Sequence, residues 1–107
     1  MVQEPTQKSE LHGVARSEAA AWLEWFNRRF GREFRLRDEL VKSVKSLVVK
    51  GYTQRDMRMV SLLKRDRWLD NEKMRHLLVP FSLLRVGTFG KYLDEAREQY
   101  GESTDAA

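Results

Sequence analysis

Arginine and lysine side chains that could contact phosphate groups concentrate in the middle of the chain. Residues 28–67 hold 13 basic and 5 acidic residues, a net charge of +8, although the whole chain of 107 residues carries only +4. A guanidinium group donates two parallel hydrogen bonds to one phosphate, which makes arginine suited to a nucleic-acid backbone. We therefore predict that DNA phosphates are bound by Arg28, Arg29, Arg32, Arg35, Arg37, Lys42, Lys45, Arg55, Arg58 and Arg65.

These basic residues also have a structural explanation. Cations near the carboxyl end of a helix interact favourably with its dipole, and charged helix faces keep a small domain in solution. Charge alone therefore leaves two interpretations open, a DNA-binding surface and a set of solvated helix faces.

Residues for catalysis are not grouped in the sequence. Acidic residues fall mostly at predicted helix starts or on polar helix faces, and no glycine-rich phosphate loop is present. There is no cysteine, and His12 and His76 are far apart, which argues against a metal site. The sequence predicts a protein that is not an enzyme and needs no cofactor or metal.

Two apolar residues are candidates for contact with a protein partner. Trp22 and Trp25 cannot both point to the centre of one narrow core, so Trp25 is predicted to lie at an interface. Leu62 shares a helical stripe with Arg55, Arg58 and Arg65, and a leucine among arginines is available for binding.

Apolar residues recur at the helical period through most of the chain. The pattern predicts a first helix that begins after Ser17 and ends at Gly31, and a second that Asp38 caps and Lys50-Gly51 ends. A third is predicted to begin after Thr53, with Asp56 completing a capping box.

The rest of the chain is predicted as three shorter pieces. Asp70 caps a short fourth helix that Pro80 ends, Ser82 starts a single turn that Gly87 interrupts, and a last helix runs from about Thr88 to Tyr100.

These elements predict an all-α fold, a compact orthogonal bundle of about five short helices with flexible termini. We expect a flexible lead over residues 1–15, a single helical domain over residues 16–100 and a disordered tail over residues 101–107. No stretch approaches the ~20 apolar residues of a membrane span, and the polar start lacks a secretory signal. A soluble protein of a reducing cytoplasm is expected.

The order of four landmarks carries a resemblance. They are LEWFNRRFGREF (residues 23–34), KGYTQRDM (50–57), RWLDNEKMRHLLVPFSLL (67–84) and FGKYLDEA (89–96). Over about residues 20–97 the chain resembles the conserved C-terminal domain of phage and prophage replication-associated proteins, of the replisome-organiser or DnaD-like helicase-loading type. Family members usually read PETLF before the last helix, where this chain has PFSLLRVGTF.

The resemblance implies a role in DNA replication initiation in the cytoplasm of a bacterial host. The expected partners are DNA, bound non-specifically, and a phage or host replication protein, with no membrane involved. Family members usually carry a preceding winged-helix module, so the chain is expected to be either a C-terminal domain or a short stand-alone relative.

Two alternatives stay open. One is a pure protein-interaction module, a helicase-loader adaptor or an inhibitor of a host protein, with Trp25 and Leu62 as anchors. The other is a helix-turn-helix transcriptional regulator formed by the second and third helices, in which Gln54, Arg55, Arg58 and Arg65 would face DNA.

Overall fold

The chain forms a bundle of α-helices. The computed structural model describes residues 4–101, and the side chains of residues 10–101. Its helices are α1 (Glu4–Phe30), α2 (Asp38–Val49), α3 (Gln54–Trp68), α4 (Pro80–Leu83) and α5 (Val86–Tyr100), with a 3₁₀ turn at Arg75–Leu77. No strand occurs within residues 4–101, so the predicted all-α fold is confirmed.

The first helix is much longer than the sequence predicts. It begins at Glu4 rather than after Ser17 and runs for 27 residues, so it is not short. Pro5 falls in the first turn, where a proline is tolerated, and Gly13 costs an exposed helix only ~1 kcal/mol. The predicted lead over residues 1–15 is therefore helical from Glu4 onward, while residues 1–3 and 102–107 lie outside the described part of the chain.

α1 and α2 end at the glycines that the sequence predicts as helix stops. Gly31 and Gly51 have positive φ angles of 68° and 93°. In each case the next N–H reaches back to a carbonyl of the last turn, Arg32 to Asn27 at 2.9 Å and Tyr52 to Leu47 at 3.0 Å. This hydrogen bond and the left-handed glycine are the features of a Schellman motif, which satisfies carbonyls that a helix end leaves open.

The predicted starts are right for α3 and wrong in detail for α2. The Thr53 Oγ1 accepts from the Asp56 N–H at 3.2 Å, and the Asp56 carboxylate accepts from the Thr53 N–H at 2.9 Å, which confirms the capping box. Asp38 is the first residue of α2 rather than its cap, and the cap position is held by Arg37, whose side chain makes no capping hydrogen bond.

The segment between α3 and α5 departs most from prediction. The short helix expected after Asp70 is replaced by a turn around Asn71, whose Oδ1 accepts two backbone N–H groups, and by the 3₁₀ turn. Pro80 begins α4 instead of ending a helix, and Gly87 lies inside α5 instead of interrupting it. A proline in the first turn of a helix has no N–H to leave unpaired.

One main core joins all five helices. α1 packs most extensively on α2, and α3 on α5. Trp22, Phe26, Val44, Met57 and Phe89 are fully buried in this core. A smaller cluster of Met59, Leu63 and Ala96 seals α3 against α5. None of the helices within residues 4–101 combines the length and hydropathy that a membrane crossing requires.

Candidate nucleic-acid interface

A row of aromatic rings supports the carboxyl end of α1. The centroid of the Phe26 ring lies 5.0 Å from that of Trp22, 4.4 Å from that of Phe30 and 5.9 Å from that of Phe34. Phe34 belongs to the segment 31–37 that links α1 to α2, which we name the arginine connection. The rings therefore hold both the end of α1 and the arginine connection on the core.

A side-chain amide fixes the path of the arginine connection. The Nδ2 of Asn27 donates to the Phe34 carbonyl at 2.9 Å, and its Oδ1 accepts from the Phe34 N–H at 3.0 Å. The backbone carbonyl of the same asparagine accepts from Arg32. Three hydrogen bonds thus order a segment that contains no regular secondary structure.

Five arginines project from this ordered region. Arg28 and Arg29 lie in the last turn of α1, and all five side chains are exposed: Arg28, Arg29, Arg32, Arg35 and Arg37. Arg28 approaches Glu24 at 3.4 Å, but both side chains are 76% exposed, so water screens the pair and a phosphate can displace it. The guanidinium of Arg32 lies 5.8 Å from the ring centroid of Phe34.

Two arginines of α3 lie against the same end of α1, but they are less exposed than the five arginines above. The Arg58 guanidinium is 5.5 Å from the ring centroid of Trp25, and that of Arg65 is 5.6 Å from the ring of Phe30. Both side chains are half-buried. They pack as cations over aromatic faces, so they have less freedom to follow a flexible polymer than the five exposed arginines.

The three remaining predicted phosphate ligands lie elsewhere. Lys42 is exposed and Lys45 half-buried on α2. Arg55 is exposed at the start of α3, ten residues and about 15 Å along the helix from Arg65. It lines a small depression with Met59 and Arg97, on the side of α3 that faces α5. Seven of the ten predicted residues thus lie on the last turn of α1, on the arginine connection or against the rings of α1.

No family model, curated protein or solved structure matches the chain. A function for the chain therefore has to be inferred from the surface described above. Among residues 10–101, no three His, Asp or Glu side chains come close enough together to hold a metal ion.

The geometry does not favour a helix-turn-helix. Three of the four α3 residues expected to face DNA are engaged with α1. Arg58 and Arg65 lie over its rings, and the Gln54 Nε2 donates to Glu18, at 2.6 Å to the carbonyl and 2.9 Å to the carboxylate. A recognition helix must present this face to the major groove instead.

The two predicted partner anchors belong to different clusters. Trp25 is half-buried between the rings of Trp22 and Phe30, with centroid distances of 6.5 and 6.1 Å. Leu62 is half-buried against the small cluster between α3 and α5. Each residue is partly covered by its own neighbours, so together they do not form one exposed patch.

Sequence reasoning missed the burial of Lys64, which contributes to the +8 charge but not to the surface. Its side chain is 1% exposed, and its Nζ donates to the carbonyls of Ser82 and Leu83 at 3.0 and 3.2 Å. A signal was present, because Lys64 follows Met57 and Val60 by seven and four residues and so continues the apolar stripe of α3.

Proposed function

We propose that this chain is a non-catalytic accessory domain that binds DNA non-specifically through its backbone phosphates. One observation carries the proposal, the five exposed arginines on the last turn of α1 and the arginine connection. Asn27 and Phe34 hold the backbone of this surface in place, so binding does not require the backbone to become ordered first.

Phosphate contact without base recognition is the binding mode that this surface fits. Phe26 is buried, and Phe30 and Phe34 are half-buried beneath arginines, so these rings offer little area for base stacking. The face of α3 that a helix-turn-helix would turn to a groove is engaged with α1 through Gln54, Arg58 and Arg65. The arginines therefore attract the backbone irrespective of sequence, as expected of an accessory protein that must act at many positions.

The biological setting is proposed from the resemblance described above. Its landmark LEWFNRRFGREF includes Asn27, Gly31 and Phe34, which shape the end of α1. The landmark KGYTQRDM includes Gly51, which ends α2, and Asp56, which caps the start of α3. We propose that the domain acts in phage or prophage DNA replication initiation, in the bacterial cytoplasm, and also contacts a replication protein of the phage or its host.

Salt dependence tests DNA binding. If five phosphates are neutralised, fluorescence anisotropy with a labelled oligonucleotide should give a slope of log affinity against log salt of about −4. Affinity should fall a few hundredfold between about 50 and 200 mM salt. Absence of binding at low salt would refute the proposal.

A matched pair of charge reversals locates the surface. The double variant Arg28→Glu, Arg29→Glu should bind DNA more weakly and reduce the salt slope by about 2. The double variant Lys73→Glu, Arg75→Glu makes the same change of net charge at exposed residues near the 3₁₀ turn. Equal losses in the two variants would show that net charge alone, and not this surface, attracts DNA.

A further inference from the structure

An open apolar groove lies beside the arginine connection. Phe34, Leu40 and the segment 79–81 line it, and its volume is about 370 Å³. That volume is at the lower end of the range for ligand sites, about 300–1,000 Å³. The groove is thus large enough for one or two side chains of an extended peptide.

Both walls of the groove are held in place. On one side, Asn27 pairs with the backbone of Phe34. On the other, the buried Lys64 donates to the carbonyls of Ser82 and Leu83, at the end of the short helix α4 that carries Pro80 and Phe81. A groove with fixed walls binds without first losing conformational entropy.

The groove leaves a large aromatic side chain uncovered. Phe81 is 52% exposed, whereas its neighbours Pro80 and Leu83 are buried in the core. Val79 is half-buried beside it. One exposed phenylalanine is common on protein surfaces, but this one lies on a concave apolar surface, where a second apolar side chain can bury area against it.

The charge at the rim selects the occupant. Arg35 and Arg37 are exposed at the groove, and Glu39 is the one carboxylate that lines it. The balance is positive, so an occupant with negative charge around its apolar side chain is favoured. A nucleobase fits less well, because the edges of a base need several hydrogen-bond partners that an apolar lining does not supply.

We propose that this groove binds an acidic peptide segment of a partner protein through one large apolar side chain. The apolar side chain packs on Phe81, Leu40 and Phe34, and its acidic neighbours pair with Arg35 and Arg37. This inference rests on the proposed function in one respect, since it names the chemistry of the protein partner. It does not require that DNA is bound.

Three labelled peptides test the proposal with the full chain. The first is a seven-residue acidic peptide with a central phenylalanine, the second has serine in place of this phenylalanine, and the third has lysines in place of the acidic residues. We expect the first to bind with a Kd on the order of 10–100 µM and the other two at least tenfold more weakly. If the first peptide does not bind at 1 mM, or if all three bind equally, the proposal is wrong.

Two substitutions of exposed apolar residues locate the site. Phe81→Ser should weaken binding of the first peptide about tenfold, and Val49→Ser, which changes a 64% exposed valine of α2, should leave it unchanged. Phe81→Ser is also expected to bind DNA as the wild type does, because Phe81 lies outside the proposed phosphate ligands. The double variant Arg28→Glu, Arg29→Glu should lose DNA binding and keep peptide binding. That result would separate the two functions.

Amide chemical shifts distinguish the competing occupant. The acidic peptide should shift the amides of Phe34, Leu40 and Phe81. The opposite result has three parts: an oligonucleotide shifts these amides, Phe81→Ser abolishes the shifts that the oligonucleotide causes, and the peptide shifts none of the three amides. The groove would then be a nucleic-acid site and the peptide proposal would be wrong.

Discussion

The side chain of Asn27 hydrogen-bonds both backbone polar groups of Phe34, seven residues later in the chain. The pairing satisfies the N–H and the carbonyl of Phe34, which would otherwise need water as a hydrogen-bond partner at the edge of the core. It also fixes the path of the arginine connection, which begins at the left-handed Gly31. One amide therefore determines where several of the proposed phosphate ligands lie.

Replacing Asn27 with alanine should destabilise the protein. Two hydrogen bonds are lost, at about 0.5–1.5 kcal/mol each, and the better helix propensity of alanine returns about 0.5 kcal/mol. We expect a net loss of about 0.5–2.5 kcal/mol in urea unfolding, with faster hydrogen exchange at the Phe34 amide. Gln99→Ala, at an exposed position of α5, is the control. Unchanged exchange at Phe34 would contradict the role assigned to Asn27.

A buried hydrogen bond between α1 and α3 gives a second prediction. The Nε1 of Trp22 donates to the Oγ of Ser61 at 3.1 Å, and this hydroxyl donates to the Met57 carbonyl at 2.7 Å. Both side chains are fully buried, so Ser61→Ala leaves the indole N–H without a partner. The expected cost is about 1–3 kcal/mol of unfolding free energy. Ser46→Ala, at an exposed serine of α2, should change stability by less than about 0.5 kcal/mol.

The outcome for Ser61 is checked by the indole resonance as well as by unfolding. The Trp22 indole proton should move in the spectrum of Ser61→Ala because it loses its acceptor. If Ser61→Ala is as stable as Ser46→Ala and its indole proton does not move, the hydrogen bond contributes nothing to stability.

Sequence patterns predict the helices whose ends are set locally. Gly31, Gly51 and the Thr53–Asp56 capping box act over three to five residues, and the structure has each of them at the predicted place. The segment between Trp68 and α5 departs from its prediction because distant contacts shape it. Its Pro80 and Leu83 are buried against other helices, and the buried amine of Lys64 satisfies the last carbonyls of α4.

The candidate site was predictable in composition but not in extent. The sequence shows which residues are cationic, but not which of them remain in water. Arg58 and Arg65 are half-buried over aromatic rings, and Lys64 is fully buried. The groove at Phe81 had no local signal, because it depends on α4 approaching the arginine connection across about 45 residues of sequence.

The phenol of Tyr100 gives a prediction for alkaline solution. Burial raises its pKa well above the ordinary value of 10.0, and a hydrogen bond to Asp66 raises it further. The folded chain keeps this proton after the unfolded chain has released it, so this group's contribution to stability falls as pH rises above 10. In an absorbance titration of the three tyrosines, Tyr100→Phe should remove the step at highest pH. Tyr52→Phe should keep that step, and its loss there would contradict the assignment.

The amine of Lys64 titrates in the opposite sense. Burial lowers its pKa from 10.5 to about 8, and the charge of Arg85 adds to the effect. The amine lies 4.4 Å from the ring centroid of Tyr92, and its neutral form still has hydrogens to donate to the Ser82 and Leu83 carbonyls. The protonated amine therefore lowers the free energy of unfolding below pH 8, and this loss is relieved as pH rises.

Comparison of wild type with Lys64→Met isolates this linkage. Between pH 8 and 10.5 the unfolded chain binds the proton that the folded chain has released, so wild-type stability gains with pH from this group. From pH 7 to 10 the unfolding free energy of wild type, relative to that of Lys64→Met, should rise by about 2–3 kcal/mol. Urea unfolding at four pH values measures it, and Lys91→Met, at an exposed lysine of α5, is the control. A difference that stays flat with pH would mean that the buried amine retains its ordinary pKa in the folded chain.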